Sequence, residues 1–132
     1  MFLCDIHSHS KISHDSKAEL FDTAQAAIDA GLQEFCVTDH CDLLGLEGEP
    51  VTGFDWPAAR AQFRAVKAEL GDRLTLRLGL ELGSAVSDPD EARAVLAQGG
   101  DELDFVLGSI HNWIGMEGNL DFYFSDFHDN LA

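Results

Sequence analysis

Positive charge is scarce in this chain. Its 132 residues carry 8 lysines and arginines against 24 aspartates and glutamates, a formal net charge of −16. At that balance, binding to a nucleic-acid backbone or an anionic membrane surface is disfavoured unless cations intervene. Long apolar runs are missing too. No stretch approaches the ~18 residues of a membrane-spanning helix, and the N-terminus lacks the basic segment and apolar core of a secretory signal. Cysteine is scarce and odd in number: Cys4, Cys36 and Cys41, without Cys-x-x-Cys spacing. This is the pattern of free thiols in a reducing compartment, so a cytoplasmic location is expected. Cys4 and Cys36 sit in apolar runs and read as core residues; Cys41, next to His40, reads as an inert thiol, with a soft metal ligand as the alternative.

What is present describes a globular chain: 45% hydrophobic and 24% charged residues, in a length that suits one domain over 1–132. Short apolar runs alternate with helical patterns. "FLCDI" (2–6), "EFCVT" (34–38), "LTLRLGLEL" (74–82) and "DFVLGSI" (104–110) read as strands. Helices are predicted over 18–31, with Phe21, Ala24 and Ile28 on one face, over 57–71, with Ala59, Phe63, Val66 and Leu70 in register, and over 88–100. Asp88 can cap the third helix, with Glu91 in the capping-box position. A loop is expected from 39 to 55, and the aromatic, acidic tail from His111 has no clear period. The order βαβαβαβ predicts a parallel α/β sheet. In the third strand Leu74, Leu76, Leu78, Leu80 and Leu82 share one face, while Thr75, Arg77, Gly79 and Glu81 share the other. A fully covered open sheet prefers two apolar faces; a barrel with a polar lumen accommodates the alternation better.

Residues able to bind metal recur at the ends of these strands. His7 and His9 follow the first strand in "DIHSHS", His40 follows the second in "TDH", Glu81 ends the third in "GLEL", and His111 follows the fourth in "GSIH". The intervals are 33 residues from His7 to His40, 41 to Glu81 and 30 to His111, each about one βα unit of ~30 residues. Parallel α/β folds build their sites at the C-terminal ends of strands. Imidazole and carboxylate together suit Zn, Mn or Fe(II), and a carboxylate such as Glu81 can bridge two ions. Asp15 is a further candidate. His14 competes with it, since adjacent residues rarely reach one ion. Asp5 and Asp39 are placed to orient a neighbouring ligand, and His128, in the tail, reads as a surface residue.

The ordered set "DIHSHS", "SHDS", "TDH", "GLELG" and "GSIH" resembles the polymerase-and-histidinol-phosphatase (PHP) superfamily, and "DFVLGSIHN" with "DFYFSDF" is most similar to its histidinol-phosphatase branch. The resemblance implies a distorted (β/α)7 TIM-like barrel and a centre of two or three divalent metals that hydrolyses phosphate esters. The implied ligands are His7, His9, Asp15, His40, Glu81 and His111, with His7, His9, Glu81 and His111 as the catalytic set. The family pattern continues with another histidine and a late Asp-x-His motif that this chain does not carry, so it reads as the N-terminal part of such a barrel, with four of about seven strands and an open edge through which it could oligomerise. The implied activity is histidinol-phosphate phosphatase in histidine biosynthesis, acting on a small phosphate ester without nucleic-acid or membrane partners. Two alternatives stand beside it: another PHP phosphoesterase acting on nucleotides or nucleic-acid ends, and a metal-binding module without turnover.

Overall fold

The computed structural model describes residues 1–45, 47–115 and 118–121. Its elements run β1 (Cys4–Asp5), α1 (Leu20–Asp29), β2 (Glu34–Asp42), α2 (Trp56–Leu70), β3 (Thr75–Gly83), α3 (Pro89–Gly99), a 3-10 turn (Gly100–Glu102), β4 (Phe105–Ser109), β5 (Asn112–Gly115) and β6 (Gly118–Asp121). Strands β1 to β4 are parallel and adjacent in sequence order, a half-barrel of (β/α) units; β5 and β6 form a separate antiparallel pair. His128 lies outside the described residues.

One sheet face makes the core. All five leucines of the 74–82 run are buried, together with Leu20, Ala24, Phe63, Val66, Leu70 and Val95 from the helices. Each fully buried aliphatic side chain contributes about 1.5–3 kcal/mol, so this alternation is what turns the other face, with Arg77 and Glu81, into the lumen. Trp56 lies fully inside and donates its indole N–H to the Val95 carbonyl at 3.0 Å, joining α2 to α3.

The helix ends follow from local chemistry. Gly31 adopts φ +84°, and the bonds Gly31 N–H to Ile28 O and Leu32 N–H to Ala27 O close a Schellman motif that stops α1. Asp55 caps α2 by accepting from the Ala58 N–H, and Asp88 caps α3 by accepting from the Glu91 N–H. The Glu91 carboxylate does not complete a capping box. It accepts from the Gly53 N–H at 2.8 Å and ties α3 to the loop after β2.

Several boundaries and faces differ from the sequence reading. The buried stripe of α1 is Leu20, Ala24 and Ala27, while Phe21 is 38% exposed. Both sets obey helical spacing, but the stripe beginning at Leu20 is the one turned to the sheet. β1 pairs over only two residues, and Cys4 is exposed rather than in the core, because among the described residues β1 is an edge strand with β2 as its neighbour. β2 continues four residues past Thr38, so Asp39, His40 and Cys41 are strand residues and not loop. The unbroken pairing from Glu34↔Thr75 to Asp42↔Gly83 overrides their weak strand propensity.

Candidate metal centre

The parallel register sets the site. His40 pairs directly with Glu81, and Asp42 with Gly83. Paired residues point to the same side of a sheet, so His40, Asp42 and Glu81 share the lumenal face near its C-terminal edge. The β1–α1 loop is fastened beside them by the Thr38 N–H to the Ser8 carbonyl at 2.7 Å, the Ser8 N–H to Thr38 Oγ1, and the His7 N–H to Asp5 Oδ1 at 3.1 Å. His111 arrives two residues past β4.

Four imidazoles surround one carboxylate. His7 Nε2 lies 2.9 Å and His9 Nε2 3.4 Å from Glu81 Oε2, and His111 Nε2 lies 3.0 Å from Glu81 Oε1. His40 Nδ1 is 3.6 Å from Glu81 Oε2, and its Nε2 is 3.3 Å from Asp15 Oδ2. The His9 and His40 rings stack with centroids 4.3 Å apart. Among the described residues three donor groups result: His7–His9–Glu81, His9–Asp15–His40 and His40–Glu81–His111. The six residues read as ligands are therefore brought together. His14 touches the His40 ring, with centroids 5.3 Å apart, but gives no donor atom to any of the three groups. Asp5 holds His7 through its backbone, and Asp39 binds serines rather than an imidazole.

Asp42 escaped the sequence reading. Its Oδ1 accepts from His111 Nδ1 at 2.6 Å, and its Oδ2 lies 3.4 Å from His40 Nδ1. The signal was period-two alternation, which puts Asp42 on the face of His40, but it becomes visible only when β2 is carried beyond Thr38.

The electrostatics follow from burial and neighbours. Burial pushes the Glu81 carboxyl up, but the His7 hydrogen bond and the surrounding imidazoles outweigh it and hold the group below the usual carboxylate range. Asp42 is likewise lowered, burial being overcome by His40 and His111. His9 is lowered by burial and by His40. For His40, burial is outweighed by Asp42 and Glu81, and the net shift is upward. The His40 Nδ1 contact with Asp42 Oδ2, at 3.4 Å, is a long one that favours the charged imidazole.

These groups fit a cation. Asp42 is an acceptor, so His111 Nδ1 carries the proton, and in the neutral ring Nε2 then presents a lone pair to Glu81 Oε1. Two lone pairs at 3.0 Å are stable only with a proton or a metal ion between them. A carboxylate with 5% side-chain exposure, facing four imidazoles, suits a borderline divalent metal.

The PHP domain model matches residues 5–131. The chain belongs to the PHP domain family. It is 34% identical over 111 residues to "Probable histidinol-phosphatase" of Deinococcus radiodurans, covering 83% of this chain and 42% of that protein. It is 29% identical over 111 residues to "Histidinol-phosphatase" of Lactococcus lactis, covering 81% and 38%. The chain thus spans about two fifths of the relatives it matches. A crystal structure of histidinol phosphate phosphatase from Lactococcus lactis, complexed with Zn, L-histidinol and phosphate, superposes with a TM-score of 0.72 at 28% identity over 82% of this chain and 40% of that one. A structure from Listeria monocytogenes superposes with a TM-score of 0.78 over 93% of this chain and 50% of that one; at 18% identity the likeness is one of fold. Both superposed structures carry the (β/α) barrel to which this half-barrel corresponds. Among the described residues, no helix is long and apolar enough to cross a membrane.

Proposed function

We propose that this chain supplies the metal centre of a phosphomonoesterase, and that the reaction is L-histidinol phosphate plus water to L-histidinol plus phosphate in histidine biosynthesis. The observation that carries this reading is the Glu81 carboxylate ringed by His7, His9, His40 and His111 at the C-terminal ends of parallel strands. These five, with Asp15, would hold two or three divalent ions, with Zn, Mn and Fe the candidates. When bound, such ions stabilise charge on phosphoryl oxygens and make water acidic enough to attack near neutral pH.

The chain's own residues provide orientation and selection. Asp42 fixes His111, and Asp5 holds the His7 backbone. Beside the cluster opens a cavity of about 730 Å³, lined by Ile12, Leu44, Val51 and Phe54 and by the carboxylates of Glu49 and Asp55. No lysine or arginine is among its described lining residues. The phosphate dianion therefore depends on bound cations for its charge balance, while the apolar, acidic remainder favours a cationic organic leaving group such as histidinol over a nucleotide. The same acidity argues against nucleic-acid and membrane partners, and biosynthesis of an amino acid accords with a cytoplasmic site.

The test is phosphate release from L-histidinol phosphate, with a nucleoside monophosphate and p-nitrophenyl phosphate as comparators. The expected result is turnover abolished by chelator, restored by Zn or Mn, and highest for histidinol phosphate. Zinc binding without release from any ester would leave a metal-binding module. Preference for the nucleotide would move the reading to another phosphoesterase of the family.

A further inference from the structure

We propose that Ser13, anchored by Asp39, is a positioning residue that fixes the tautomer of His9 and so presents the His9 Nε2 lone pair to the metal centre. The inference rests on the reading of His9 as a ligand.

The observation is a hydroxyl with all of its hydrogen-bonding capacity spoken for. Ser13 is buried, and its Oγ has three partners: Asp39 Oδ1 at 2.9 Å, the His40 backbone N–H at 2.9 Å and His9 Nδ1 at 3.4 Å. A serine hydroxyl has one proton to donate and two lone pairs. A carboxylate only accepts, so the proton goes to Asp39. The His40 N–H only donates, so it takes one lone pair. What remains for His9 is the second lone pair, which requires His9 Nδ1 to carry a hydrogen. In the neutral ring, Nε2 is then unprotonated and faces Glu81 Oε2 at 3.4 Å.

Asp39 is itself held by further contacts. It is 2% exposed. Its Oδ1 also accepts from the Ser10 N–H at 2.6 Å, and its Oδ2 accepts from Ser10 Oγ at 2.8 Å and lies 3.4 Å from Gln62 Nε2. Ser10 Oγ in turn accepts from Gln62 Nε2 at 2.6 Å. The chain His9–Ser13–Asp39 thus runs from the site into an anchor shared by the first loop, β2 and α2. It is a carboxylate-to-histidine support with a hydroxyl inserted, and supports of this kind set the tautomer and basicity of a metal-binding imidazole.

The experiment is long-range ¹H–¹⁵N correlation on histidine-labelled, metal-free full chain at pH 8, with the His9 signals assigned by their loss in His9→Gln. Wild type is expected to show His9 protonated at Nδ1. Ser13→Ala is expected to lose that fixed state and to weaken zinc binding, measured by chelator competition, by about 10- to 100-fold; Ser13→Thr, which returns the hydroxyl, restores both. Wild-type His9 with its only proton at Nε2, or Ser13→Ala with an unchanged tautomer, overturns the proposal even if other variants misfold. Should zinc fail to bind wild type, or His9→Gln bind it as tightly, the ligand reading of His9 falls while the tautomer measurement still decides the role of Ser13.

Discussion

His40 and Glu81 are cross-strand partners in the parallel register of β2 and β3, with His40 Nδ1 3.6 Å from Glu81 Oε2. Their closeness needs no loop to adjust. It is set by the same pairing that turns Leu80 and Leu82, the flanking residues, into the core on the other face. The His40–Glu81 pair is therefore as rigid as the sheet, and chemistry at Glu81 can be altered without touching what holds β3 in place.

Glu81→Gln tests this. The change keeps size and shape but removes the charge around which the imidazoles converge. Zinc affinity is expected to fall by at least about 100-fold, and phosphatase turnover to become nearly undetectable. The unfolding free energy of the metal-free protein should move by no more than about 1–2 kcal/mol. Elemental analysis, turnover and denaturant melts are read together. Full metal content with a near-normal rate would make Glu81 a structural residue of the lumen.

Asp42 acts through the imidazole beside it. Asp42→Asn weakens the bond that orients His111, and a loss of about 10- to 100-fold in metal affinity is expected. Gly83 offers an independent way to break the same contact. A Cβ placed at Gly83 would collide with Asp42 Oδ1 and lie 3.3 Å from His111 Nδ1. Gly83→Ala is expected to reproduce the metal defect with the charge of Asp42 intact. If Gly83→Ala binds zinc normally, the Asp42–His111 contact is not what sustains affinity.

The leucine alternation of 74–82, the βα order and the spacing of His7, His40, Glu81 and His111 were all legible in the sequence, because each is a periodicity that backbone geometry imposes. The end of β2 was not. Asp39, His40 and Asp42 are poor strand formers individually, and they are held extended by β3 alongside, a contact that no local window contains. Asp42 was missed for that reason. Cys4 was misplaced because apolar neighbours mark a strand but do not say whether it lies at a sheet's edge. The Ser13–Asp39 anchor depends on atoms 26 residues apart, and nothing in the spacing of serines signals it.

Self-association is expected through the sheet's two sides. Among the described residues, no strand pairs with the outer side of β1 or β4. Apolar side chains are exposed at both, Phe2 at 63% and Ile6 at 44% near β1 and Ile110 at 47% just past β4. Exposed, unpaired strand edges recruit further strands. Sedimentation at micromolar concentration should show species larger than one chain, and a Val106→Lys, Ile110→Lys double variant should shift the population toward monomer. A monomer that stays monomeric as concentration rises would mean these edges are already protected.

The two inner thiols make stability fall in base. Burial, reinforced by Asp104 and Glu34, pushes Cys36 up to about 12, and burial, reinforced by Asp42 and Glu91, pushes Cys41 up to about 12. An unfolded cysteine titrates near 8.5. The folded value is the higher one, so the stabilisation is present in full below about pH 8.5 and is lost as pH rises from there toward 12, where the unfolded chain alone releases these protons. Denaturant midpoints measured from pH 7.5 to 10.5 should decline, and the slope should shrink in a Cys36→Ala, Cys41→Ala variant. Iodoacetamide at pH 8 supplies the local readout: exposed Cys4 should be alkylated in the native protein, and Cys36 and Cys41 only after denaturant is added. Native labelling of all three thiols at equal rates would show that β2 opens readily to solvent, and the pH slope could then no longer be assigned to buried thiols.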